Sequence, residues 1–137
     1  AAAGHIRHVG IPPFIAFGEL DNSKSARVDS LREMFSALNG ITVDVPADIN
    51  VAMWEKFVFI SGTSGVGTYT RQTIGEFRAN PQTRAMLINA MSETIGVARA
   101  RGVPLSESFV SDSMIRIDTI QPDVMASMQK GKGEIGR

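Results

Sequence analysis

The sequence predicts a mainly helical domain with a short pair of strands at its N-terminus. Three observations carry this. From about residue 26 to residue 117, apolar side chains recur at spacings of three and four. Asn-Gly, Asn-Pro and single Gly steps fall between these stripes, where helices start and stop. The first 21 residues differ, with short apolar runs either side of Gly10-Ile11-Pro12-Pro13. At 137 residues, the length fits one domain with a real core.

The runs His5–Val9 and Phe14–Phe17 read as two strands joined by a turn, a β-hairpin. Two strands are marginal alone, so they must lean on something else. Asp21-Asn22-Ser23 offers capping side chains, and Val28, Leu31, Phe35 and Leu38 make one helical stripe that stops at Asn39-Gly40. Ile41, Val43 and Val45 alternate with polar residues as in a short strand, ended by Pro46. Asp48 can cap the next helix, which is apolar nearly all round from Ile49 to Ile60 and so reads as buried. Gly62, Gly65 and Gly67 should then kink or break it. A short helix follows over Thr73–Arg78. Asn80-Pro81 opens a long one with Leu87, Met91, Ile95 and Ala98 inward, closed by Gly102. Ser106 can cap a last helix, with Val110, Met114 and Ile117 inward, ending near Pro122. The tail after Met128 reads as a frayed end or a cut loop.

Composition excludes several function classes. The 14 basic and 14 acidic side chains balance, which speaks against a nucleic-acid binder. The absence of cysteine rules out disulfide scaffolds, thiolate metal sites and cysteine nucleophiles. No apolar run reaches the ~18 residues of a membrane span, and Ala1-Ala2-Ala3-Gly4 does not open a signal peptide. The expectation is a cytoplasmic protein without membrane or nucleic-acid partners.

Most motif-like features are weak. Gly131-x-Gly133-x-x-Gly136 has the letters of a dinucleotide fingerprint but no strand before it. Gly62–Gly67 lacks the Lys-Ser/Thr end of a phosphate loop, and Val66 replaces the last glycine of a nucleophile elbow around Ser64. These glycines read as a packing feature. His5 and His8 are too few for a metal site, so no metal is expected. Lys56 is the informative residue, because a cation in an apolar helix is costly to bury. Either it reaches solvent along its stem, or it lines a cavity, where desolvation makes a lysine a better proton donor near neutrality.

The stretch Asp48-Ile49-Asn50-Val51-Ala52-Met53-Trp54-Glu55-Lys56-Phe57, followed by Gly65-Val66-Gly67, resembles the substrate-side domain of ketopantoate reductases (2-dehydropantoate 2-reductases). Gly4–His8, Phe17–Asp21, the segment from Glu93 to Gly102, and Ala126-Ser127-Met128-Gln129 agree in order. The resemblance implies a helical bundle like the C-terminal domain of 6-phosphogluconate dehydrogenase. Residues 1–137 would be the substrate and dimerisation domain, following an NADPH-binding Rossmann domain that this chain lacks. The family reduces 2-dehydropantoate to pantoate, for pantothenate synthesis, with hydride from NADPH. Lys56 matches the lysine that hydrogen-bonds the ketone oxygen and supplies the proton; Ser127 matches a substrate-binding serine. Known members carry Asn four and eight residues after the lysine, where this chain has Ile60 and Ser64. Both are therefore candidate substrate contacts, and Ser61, Thr63 or Ser64 could replace the lost amides. A family glutamate about a dozen residues after the serine has no match, since Glu134 falls too early.

The expected function is thus an NADPH-dependent 2-oxo-acid reductase, acting as a homodimer, with the isolated domain inactive. Two alternatives accompany it: a helical dimerisation module, or a reductase of the same family for a bulkier, more apolar 2-oxo acid, as Ile60 would favour.

Overall fold

The structure, a computed structural model, describes residues 4–5 and 12–130, the side chains of Ser127 and Lys130 excepted. The chain divides into two units, one ending at Ala52 and the other starting at Met53.

In the first unit, strand β1 (Phe14–Ala16), helix α1 (Ala26–Ser36) and strand β2 (Thr42–Asp44) follow one another. The strands pair in parallel, with Phe14 opposite Thr42, Ile15 opposite Val43 and Ala16 opposite Asp44. A parallel pair cannot be closed by a tight turn and needs a crossover, and α1 supplies it by packing on β2. Of the strand expected over His5–Val9, only His5 is among the described residues. On α1, Val28 is buried at 8% exposure, but Leu31 and Leu38 of the same stripe are 38% and 49% exposed.

The cap of α1 is Ser25, not the residues 21–23 favoured from sequence; its hydroxyl accepts from the Val28 amide at 3.2 Å. Glu19 braces that cap. Its Oε1 accepts from Ser25 Oγ at 2.5 Å and Arg27 Nε at 2.6 Å, and its other oxygen pairs with the Arg27 guanidinium. Hydrogen bonds from Arg27 and then Ser25 hold the Glu19 carboxyl down at about 2, from 4.5. A depressed carboxylate contributes stability that is complete above pH 4.5 and is lost as the pH falls towards 2. In acid titration followed by circular dichroism, Glu19→Gln should therefore flatten the loss of stability across this window. Equal slopes in both proteins would exclude this contribution.

Helix α2 (Ile49–Thr70) starts at the Asp48 cap, whose Oδ1 accepts from the amides of Asn50 at 2.9 Å and Val51 at 3.3 Å. It continues through all three glycines, so the expected break is also corrected. The reason is close packing: a Cβ on Gly62 would lie 2.8 Å from Met91 Cγ and 3.2 Å from Leu87 Cδ1. The gain in helix contact offsets the ~1 kcal/mol cost of an internal glycine.

Helices α3 (Ile74–Ala79), α4 (Pro81–Ala100) and α5 (Phe109–Thr119) complete the second unit, with a last turn, α6 (Ser127–Lys130). Thr73 and Glu76 form a capping box on α3, and Asn80 caps α4 at 2.8 Å from the Gln82 amide. Gly102, with φ of +80°, takes the left-handed conformation that follows α4. Val58, Phe77, Leu87, Met91 and Ile117 form the centre of the core, each at most 1% exposed. Ser106 does not cap α5 as expected: Ser108 stands at the cap position, and Ser106 Oγ accepts from its amide at 3.2 Å. Among the described residues, no helix is long and apolar enough to cross a membrane.

Candidate active site on helix α2

Helix α2 has two apolar faces. One, through Val58, Gly62 and Val66, is packed in the core. The other is uncovered. Met53 and Phe57 are each 55% exposed and Ile60 is 45% exposed. The expected burial of this helix on all sides is therefore corrected: its apolar surface exceeds what this chain covers. Lys56 is on the uncovered face, itself exposed, and among the described residues it has no ion-pair partner. The chain alone does not supply the desolvation that a cavity-lining lysine requires.

At 3.6 residues per turn, Met53, Lys56, Ile60 and Ser64 fall within about 80° of arc. An ammonium thus projects among a methionine, an isoleucine and an aromatic ring, with a half-buried hydroxyl two turns on. Phe57 is held edge-on against Trp54, with ring centroids 5.6 Å apart and planes at 83°. Of the three hydroxyls that could replace the amides, two are otherwise engaged. Ser61 Oγ donates to Val58 O at 3.1 Å and lies 3.4 Å from Thr94 Oγ1. Thr63 is buried and donates to Phe59 O at 2.8 Å. Ser64 is left to face outward beside Ile60.

Ser127 is the first residue of α6. Gln129, in the same turn, donates from Nε2 to Gly67 O at 2.9 Å and to Gln72 O at 3.0 Å. Gly67 is on the same side of α2 as Lys56, about three turns or 16 Å further along the axis. Thus α6 is tied over the far end of the Lys56 face, and Ile60 and Ser64 occupy the interval. The structure places Lys56, Ile60 and Ser64 on one side of α2, and Gln129 ties the turn that carries Ser127 to the far end of that helix, away from Lys56. Gln129 was part of the motif read in the sequence but carried no role there. Its partners are 57 and 62 positions away, and no local pattern marks them.

The sequence profile described as ketopantoate reductase PanE/ApbA C terminal (ApbA_C) matches residues 48–131. This chain belongs to that family. It is similar to an uncharacterized oxidoreductase, YkpB, of Bacillus subtilis (strain 168), with 24% identity over 125 residues, 91% of this chain. A dimeric ketopantoate reductase from Staphylococcus aureus shares its fold, with a TM-score of 0.75 and 21% identity over 85% of this chain. The chain spans only 41% of the length of the first relative and 38% of the second. All four residues aligned on α2 and α6 lie inside the part matched by the ketopantoate reductase profile, whereas β1, α1 and β2 precede it.

The described residues do not suit the phosphates of a nicotinamide cofactor. The connection from β1 to α1, where a dinucleotide fold holds its pyrophosphate, carries the carboxylates of Glu19 and Asp21. The Ser25 hydroxyl there is engaged with Glu19 and the Val28 amide. The glycine pattern at 131–136 lies outside the described residues, as does Glu134.

Proposed function

We propose that the chain is the substrate domain of an NADPH-dependent 2-oxo-acid reductase of the ketopantoate reductase type, and that residues 1–137 follow a Rossmann domain in the complete enzyme. The observation that carries this is Lys56 on an uncovered apolar helix face, in line with Ile60, Ser64 and α6, inside the family match. NADPH, which the described residues do not hold, supplies hydride to the ketone carbon. The part of this chain is the oxygen. Lys56 Nζ donates a hydrogen bond to the ketone, stabilises the alkoxide as it develops, and gives it a proton. The lysine left neutral is reprotonated from water once product leaves. The second domain covers the Lys56 face and supplies the missing desolvation, which strengthens both effects.

Ser127 and Ser64 bind the polar groups of the substrate. Ile60 replaces an amide by a branched alkyl group, which favours a 2-oxo acid with a larger apolar side chain than 2-dehydropantoate. A pocket methylene is worth ~1–3 kcal/mol, so the preference should be measurable. The complete enzyme should oxidise NADPH with 2-oxo acids, the isolated 137-residue chain should not, and Ile60→Asn should shift kcat/KM towards 2-dehydropantoate by about tenfold or more. No turnover of any 2-oxo acid by the complete enzyme would exclude the reductase reading. An unchanged ranking in Ile60→Asn would exclude the role of Ile60.

The relative from Staphylococcus aureus is dimeric, which favours a homodimer here too. Assembly then accompanies catalysis in the same domain.

A further inference from the structure

We infer that Gln129 is the positioning residue that fixes α6, and with it Ser127, at the far end of the Lys56 face of α2. The inference rests on the reductase reading of Lys56 and Ser127. One carboxamide satisfies three backbone groups: Nε2 donates to Gly67 O at 2.9 Å and Gln72 O at 3.0 Å, and Oε1 accepts from the Ala126 amide at 2.8 Å. Two acceptors face the NH2 and one donor faces the oxygen, which fixes the orientation of the amide. The side chain therefore joins the end of α2, the turn after it, and the residue directly before Ser127.

Two features make this tie decisive for where Ser127 sits. Helix α6 has four residues, too few to be stable without tertiary contacts. Gln72 Oε1 beside it is already buried without a partner among the described residues, so loss of the Gln129 NH2 would add the Gly67 and Gln72 carbonyls to the unsatisfied oxygens. Gly67 makes the approach possible. A Cβ there would lie 2.9 Å from Gln129 Oε1 and 3.4 Å from Phe77 Cε1, so any larger residue displaces the amide.

The test uses the complete enzyme with Gln129→Ala, Gln129→Glu, Gly67→Ala and Ser127→Ala. Gln129→Glu keeps the shape but turns the donor into an acceptor opposite two carbonyls, and serves if the alanine variant fails to fold. A displaced substrate contact should raise KM for the 2-oxo acid about tenfold with kcat changed less than about threefold. A merely structural role would lower the active fraction, and so apparent kcat, at constant KM. Gln129→Ala and Gly67→Ala should not add, because each breaks the same tie, and Ser127→Ala should add little to either. In amide hydrogen exchange, Ala126 should exchange at least about tenfold faster in Gln129→Ala. Unchanged KM in both Gln129 variants while Ser127→Ala raises it, or retained Ala126 protection, overturns the inference alone. Unchanged KM in Ser127→Ala, with Ala126 protection still lost in Gln129→Ala, overturns the substrate role of Ser127 and with it the positioning.

Discussion

Lys56→Ala in the complete enzyme should lower kcat by about 10²–10⁴ while changing KM far less. An acid that acts on the ketone oxygen earns most of its effect as charge builds there, so the loss falls on the transition state. The exposed position of Lys56 makes the test clean. Lys56 has no ion-pair partner among the described residues, so its removal should change the stability of the 137-residue chain by less than about 0.5 kcal/mol, and thermal unfolding of the complete enzyme separates lost turnover from unfolding. Lys56→Arg should recover little. A guanidinium keeps the charge but does not release its proton near neutral pH. Steady-state kinetics of the three proteins, with thermal unfolding as the control, decide the matter. A kcat equal to wild type in Lys56→Ala would remove the proton-donor role.

Gly75→Ala should destabilise the second unit by about 2–4 kcal/mol, from overpacking and lost hydrogen bonds. A Cβ there would lie 2.5 Å from Pro122 Cβ and 2.8 Å from both Pro122 Cα and Pro122 O. These are ring and backbone atoms and cannot swing aside. The same contact carries the Gly75 amide bonded to Pro122 O at 2.9 Å and the Ile74 amide bonded to Val124 O at 2.9 Å. The displaced segment leads directly into α6, so activity in the complete enzyme should fall as well. Gly96→Ala provides the opposite control. Nothing lies within 4 Å of a Cβ at that position, so the higher helix propensity of alanine should stabilise by up to ~1 kcal/mol. Urea unfolding of both variants separates a steric effect from a general response to glycine replacement. If Gly75→Ala were as stable as wild type, the contact with Pro122 would not exist in solution.

How far each feature was legible depended on the range of the forces behind it. The caps at Asp48 and Asn80, the stripe Leu87–Met91–Ile95–Ala98 and the stop at Gly102 stand in the structure where local chemistry places them. A cap hydrogen bond spans two or three residues and a stripe repeats every turn, so neighbouring letters suffice. Ser23 and Ser106 show the limit even there: each stands near a helix start, and Ser25 and Ser108 take the cap positions. The pairing of Phe14–Ala16 with Thr42–Asp44 was not legible, since a strand accepts partners of either direction and these lie 28 positions later. The glycines of α2 pointed to a break or kink, yet the helix runs on through them, and at Gly62 the missing side chain lets α4 approach through Leu87 and Met91.

The residue types of the candidate site, Lys56, Ile60, Ser64 and Ser127, and their family were determined by the sequence alone. It did not determine that Lys56 is exposed on an uncovered face, nor that Gln129 ties α6 over Gly67. Periodicity identifies which residues are apolar but not whether anything covers them. Only the tertiary structure, by bringing together groups some 60 positions apart, decided which face of α2 is packed and which is left open.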